Sequence, residues 1–197
     1  MKRLCLAALA AVLTCAAPAW AEAPPGGEEQ PEVGIMPRYL LMDQRGRAVT
    51  DQDFPGSFQL ISFGYTYCPD ICPTTLAEMS LIMEKLGKQA DRLQPLFVTV
   101  DPERDTPEVL RRYTAYFHPR IIGLTGSPEL VRRAADHFKV RYEKHLEPGA
   151  APDKYSMDHS AGMYLLGPDG RFLAKFAYAT PAGEVAERIR ALMEARR

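Results

Sequence analysis

Gln59-Leu60-Ile61-Ser62-Phe63-Gly64-Tyr65-Thr66-Tyr67-Cys68-Pro69-Asp70-Ile71-Cys72-Pro73 is a near-continuous apolar run ending at a glycine, followed at once by two cysteines with three residues between them. An apolar run of this kind is the pattern of a strand buried on both faces. Beyond Pro73, Leu76, Met79, Ile82, Met83 and Leu86 recur at helical spacing, so the chain passes from strand to helix across the cysteines. Residues four apart in a regular helix hold their β-carbons about 5–6 Å apart, whereas a disulfide wants about 3.8 Å. A bridge here needs a locally distorted turn. With bonds of about 2.3 Å, the zinc–thiolate value, two thiolates on a trigonal ion sit about 4 Å apart, so the spacing suits a shared soft metal with less distortion.

Working outward, Pro95 to Asp101 reads as a second buried strand, and Thr106-Pro107-Glu108 opens a helix with proline at its favoured first position. Ile121 to Gly126 fits another short strand, and Ser127-Pro128-Glu129-Leu130 caps a helix running to about Phe138. Lys144 to Asp158 is a polar stretch containing Pro148-Gly149 and Pro152-Asp153 and reads as a long loop. Ala161 to Leu166, the turn Gly167-Pro168-Asp169-Gly170 and Arg171 to Phe176 form a hairpin, and a last helix covers Ala182 to Glu194. Before the central run, Tyr39 to Met42, a turn at Asp43 to Arg47 and a return toward Val49 predict an N-terminal hairpin extension. The fold class is α/β: a central mixed sheet with helices on both faces, the layout of the thioredoxin fold.

Residues 1–21 read as a secretory signal, with Lys2 and Arg3 as the charged start, an apolar run from Leu4 to Ala17 and a small-residue cleavage site at Ala19-Trp20-Ala21. The run is short for a membrane span, which takes about 20 apolar residues, although an uncleaved, membrane-anchored form is the alternative. Cys15 invites a lipidation reading, which Thr14 before it disfavours. Residues 22–37, rich in Pro, Gly and Glu, form a flexible linker, and residues 38–197 form one domain. Cleavage removes Cys5 and Cys15, so Cys68 and Cys72 are the thiols of the exported chain, for which a structural disulfide is the ordinary reading. The formal charge of −1 falls to about −3 without Lys2 and Arg3, which gives no footprint for nucleic acid. The expected location is the periplasm.

Thiolates are soft donors that select Cu(I), zinc or iron–sulfur clusters, and two of them under-coordinate any of these. Four histidines are available as a further donor: His118, His137, His145 and His159. The first lies near a helix end, the second within a helix and the third in the polar loop, where capping and solvation are the default roles. His159 stands at the end of that loop, just before a buried strand, so either ligation or simple hydrogen bonding to its neighbours suits it. Asp158 beside it is a fourth ligand if zinc binds, or orients the histidine from behind. Asp101 and Asp105 suit turn formation and helix capping. Met163 belongs to an apolar strand and reads as core, while Met157 is a second thioether near His159. Tyr65 and Tyr67 are expected to wall the site.

Gly64 to Pro73, Val100-Asp101-Pro102-Glu103-Arg104-Asp105-Thr106-Pro107 and Asp158-His159-Ser160 occur in this order, and together they resemble the Sco (SenC) family over the body of the chain from about residue 36 to the C terminus. The resemblance implies a thioredoxin-like fold and copper held by Cys68, Cys72 and His159. Two thiolates and a neutral imidazole suit Cu(I), and an added oxygen or water accommodates Cu(II). It further implies a metallochaperone that helps mature the dinuclear copper centre of cytochrome c oxidase subunit II, with other periplasmic copper chaperones or thiol reductants as further partners. A role in partner recognition for Asp101 and Asp105 comes from the same source. The rival reading is a thiol-disulfide oxidoreductase that reduces the partner's cysteines, with Cys68 and Cys72 as its redox pair. A third is a peroxide-reducing or redox-sensing protein of the same fold, which predicts a sulfenic intermediate.

Overall fold

The apolar run becomes strand β3 (Phe58–Gly64), every residue of which is buried. It lies next to the central strand of a seven-stranded sheet, between that strand, β4 (Leu93–Thr99), and β8 (Met163–Leu166). The computed structural model describes residues 36–196. The expected signal segment and all of the linker except Met36 and Pro37 lie outside them.

The sheet order is β2-β1-β5-β4-β3-β8-β9, with β1 at Leu40–Asp43, β2 at Ala48–Thr50, β5 at Ile122–Thr125 and β9 at Phe172–Phe176. Its centre is parallel, β3 on β4 with Phe58 opposite Leu93 and β4 on β5 with Leu96 opposite Ile122. Parallel neighbours need crossovers, and helices α1 (Ile71–Leu86) and α2 (Pro107–Phe117) supply them. Both flanks are antiparallel: β8 on β3, β9 on β8, and the β1–β2 hairpin on β5. The mixed sheet and the N-terminal hairpin are as expected from the sequence.

Side chains alternate across the sheet and recruit different helices. On one face Phe97 meets Tyr113 of α2 at 5.7 Å between ring centroids, and α1 packs on α4 (Ala182–Glu194). On the other, Phe63 and Tyr164 close around Phe138 at 5.3 and 5.6 Å, just after α3 (Pro128–His137). Full burial of each such aromatic contributes about 1.5–3 kcal/mol. Gln59, inside β3, is satisfied at both ends, accepting from the Tyr39 hydroxyl at 2.7 Å and donating to the Asp51 carbonyl at 2.8 Å.

Two boundaries differ from the expected ones. Helix α1 starts at Ile71, not after Pro73; Pro73 is its third residue, where a backbone N–H has no intrahelical acceptor and none is lost. The segment expected to be a long polar loop instead holds a two-stranded sheet, β6 (Tyr142–Leu146) on β7 (Tyr155–His159), with Tyr142 opposite His159. Among the described residues, no helix is long and apolar enough to cross a membrane.

Candidate metal centre

Cys68 lies in the loop leaving β3, and Cys72 is the second residue of α1. The Cys72 amide, one of the unpaired N–H groups of the helix start, points to Cys68 Sγ at 3.4 Å. No side-chain cap serves this helix at Asp70, so the sulfur takes the place a cap would fill. Both cysteines are free thiols, Cys72 buried and Cys68 half-buried.

The two thiols share one proton unequally. The hydrogen bond from Cys72 is the leading cause that brings Cys68 down to about 5, with the Asp70 and Cys72 amides adding to it. The same bond, then burial, pushes the Cys72 thiol far up. Cys68 is therefore the thiolate and Cys72 its proton donor.

His159 reaches this pair from 87 residues away: its Nε2 lies 3.4 Å from Cys72 Sγ. Its Nδ1 lies 3.1 Å from the Ser160 carbonyl oxygen; as an N–H donor there, it leaves the Nε2 lone pair facing the sulfurs. The ring meets Tyr65 edge-on at 6.0 Å. Cys68, Cys72 and His159 place one donor atom each within 4.8 Å of one another, the metal-capable group found among the described residues. A soft ion with trigonal preference fits two sulfurs and one imidazole.

The other candidates fall elsewhere. His118 accepts from the Arg120 amide at the end of α2, His137 contacts the Arg38 backbone, and His145 faces Glu147 on exposed β6. Asp158 is exposed, alternating with the inward-facing Met157 and His159 along β7, so the contact that orients His159 comes from Ser160 instead. Met157 and Met163 are core residues. Tyr65 is buried beside the histidine, and Tyr67 stands exposed next to Cys68.

Sequence reasoning missed how the Asp101–Asp105 segment holds the site together. Neither aspartate caps α2, since Thr106 does so by accepting from the Val109 amide. Asp101 accepts from the Tyr155 hydroxyl at 2.8 Å and from Arg104 Nε. The Arg104 guanidinium lies over the rings of Tyr155 at 3.6 Å, Tyr67 at 4.6 Å and Tyr65 at 5.7 Å, and donates to the Tyr155 carbonyl at 3.0 Å. One side chain thus joins the cysteine loop to the strand that carries His159. Asp105 grips Thr66, two residues before Cys68.

The family model described as SCO1/SenC matches residues 27–194. The chain belongs to the SCO1/SenC family. A SCO2-like protein of Rickettsia felis is 40% identical over 149 residues, 76% of this chain and 72% of that protein. The human mitochondrial SCO2 homolog is 40% identical over 159 residues, 80% of this chain but 59% of its own length, so the chain spans well under two thirds of that relative. Among solved structures, Arabidopsis thaliana ScoI with copper bound superposes with a TM-score of 0.76 at 32% identity, covering 82% of this chain and 99% of that one. The thioredoxin-like fold is common to both.

Proposed function

We propose that this chain is an exported copper carrier that helps mature the dinuclear copper centre of cytochrome c oxidase subunit II, with residues 1–21 as its export signal and the periplasm as its place of action. The observation that carries the reading is the convergence of Cys68, Cys72 and His159 within 4.8 Å, in a member of a family that includes a structure with copper bound.

Copper is the cargo. Cys68 and Cys72 would hold Cu(I) through sulfur and His159 through Nε2, with the ring already oriented by Ser160. Cys68, half-buried, is the side from which the ion enters and leaves. Oxidation of the two thiols to a disulfide passes two protons and two electrons to an acceptor disulfide and removes both sulfur donors, so redox state gates the metal.

The lowered Cys68 thiol supports a second reading. A half-exposed thiolate with a protonated partner thiol can attack a disulfide, form a mixed disulfide and be resolved by Cys72, as in a thiol-disulfide oxidoreductase.

Anaerobic titration of the reduced protein with Cu(I) against a competing chelator separates the two. The carrier reading expects one tightly held ion per chain, weakened at least about tenfold, or about 1.4 kcal/mol, in His159→Ala. Full affinity in that variant removes His159 from the ligand set. Weak binding by the wild type, together with efficient reduction of a disulfide substrate, establishes the oxidoreductase instead.

A further inference from the structure

The loop that carries Cys68 is anchored by a carboxylate outside the donor set. Asp105 is fully buried and uses both oxygens on Thr66: one accepts the backbone amide at 3.0 Å, the other the hydroxyl at 2.5 Å. Thr99 Oγ1 donates to the same carboxylate at 2.6 Å from the end of β4. The anchor is itself fixed, since the Asp105 amide donates to the Asp101 carbonyl at 2.9 Å and the Val100 amide to the Gly64 carbonyl at 2.8 Å.

Cys72 is fixed on the opposite side. It is 2% exposed on α1, and a Cβ at Gly64 would come within 2.6 Å of its sulfur. One residue, Tyr67, separates the gripped Thr66 from Cys68. The two sulfurs are unbonded donors of a group that lies within 4.8 Å, and closing a disulfide draws them to about 2.05 Å with β-carbons about 3.8 Å apart. With Cys72 held by the core, the Cys68 segment must make the movement, and the Thr66 grip opposes it.

We propose that Asp105, through its two-point hold on Thr66, is a positioning residue that keeps the Cys68 loop in the open dithiol arrangement and opposes closure to the Cys68–Cys72 disulfide. It deepens the carrier reading, because the open arrangement is the one that admits an ion. The opposed step is a two-electron exchange: the two thiols and one glutathione disulfide become the protein disulfide and two glutathione thiols.

The test is the ratio of disulfide to dithiol in metal-free protein equilibrated with glutathione redox buffers and quenched by thiol alkylation. Thr66→Val deletes the hydroxyl and leaves the Asp105 charge in place, and Thr66→Ala deletes the same hydroxyl without the branched side chain. In both, the ratio shifts toward disulfide by about tenfold, the worth of one hydrogen bond to a charged group, which is about 30 mV for this couple. Thr66→Ser keeps the hydroxyl and restores the wild-type ratio. Thr99→Val takes a hydroxyl from the same carboxylate but leaves the Thr66 hold intact, so it changes stability without moving the ratio. An unchanged ratio in folded Thr66→Val and Thr66→Ala overturns the proposal, as does an equal shift in Thr99→Val. Should Thr99→Val fail to fold, the Thr66→Ala and Thr66→Ser pair decides alone. No copper enters the measurement, so its failure stands apart from failure of the carrier reading, which the wild-type titration reports.

Discussion

Replacing Gly64 by alanine tests whether Cys72 is held by packing as tightly as the site requires. Gly64 ends β3 in ordinary extended backbone, so the substitution introduces no left-handed strain and acts through volume alone. The new Cβ would lie 2.6 Å from Cys72 Sγ and 2.9 Å from Phe97 Cε2, where ordinary contact begins at 3.4 Å. Relief therefore takes a shift of about 0.8 Å at the sulfur and about 0.5 Å at the ring, in a core packed as densely as an organic crystal. Overpacking of this kind costs about 1–3 kcal/mol, to be read from urea denaturation of the reduced protein. Metal–ligand distances tolerate about 0.2 Å, several times less than the required sulfur shift. Cu(I) affinity, measured by chelator competition, should accordingly fall at least about tenfold. Gly64→Ala protein that loses stability but binds copper as the wild type does would refute the reasoning, because Phe97 would then have yielded and Cys72 would not be the constrained partner.

Three further outcomes follow from the same geometry. Cys68, brought down to about 5 by its bond from Cys72, should be alkylated rapidly by iodoacetamide at neutral pH while Cys72 is spared, with a rate midpoint near pH 5; a midpoint near the ordinary 9 refutes the thiol–thiolate pairing. Because folding lowers this pKa, the reduced fold gains stability as pH rises from about 5 toward 9 and loses that contribution as pH falls through 5. Above 9 the raised Cys72 opposes it, since only the unfolded chain then gives up that proton. Pairs of denaturation curves at pH 5 and pH 8, for wild type and Cys68→Ser, report the difference. Tyr155→Phe removes the hydroxyl that donates to buried Asp101 at 2.8 Å. It should destabilise the fold by about 1.5–3 kcal/mol in the same denaturation assay, and a loss under about 0.5 kcal/mol would mean Arg104 alone satisfies that carboxylate.

The parallel centre of the sheet was legible because β3 and β4 are nearly continuous runs of buried, mostly apolar side chains, the composition expected of a strand covered on both faces. Helices α2 and α3 were legible at their starts, where Thr106-Pro107 and Ser127-Pro128 place a capping oxygen and a proline where each fits. The β6–β7 hairpin was not. Four of the five residues of β6 are exposed and the fifth only partly covered, so that strand carries no hydrophobic period. The alternation of Tyr155, Met157 and His159 in β7 is too short to outweigh the prolines and glycine before it.

For the site, the sequence alone placed two thiols at a strand-to-helix turn, and the order of three motifs pointed to His159. Contacts across long sequence separations needed the fold. His159 meets Cys72 across 87 residues and Thr66 meets Asp105 across 39, and no local pattern encodes which residue lies opposite when strands and loops close on one another. Asp105 looked like a turn or capping residue because that is what an aspartate before Thr-Pro ordinarily does. Only the tertiary structure, by burying its carboxylate against Thr99 at the end of β4, turned it toward the cysteine loop, where a desolvated charge must find donors and finds them on Thr66.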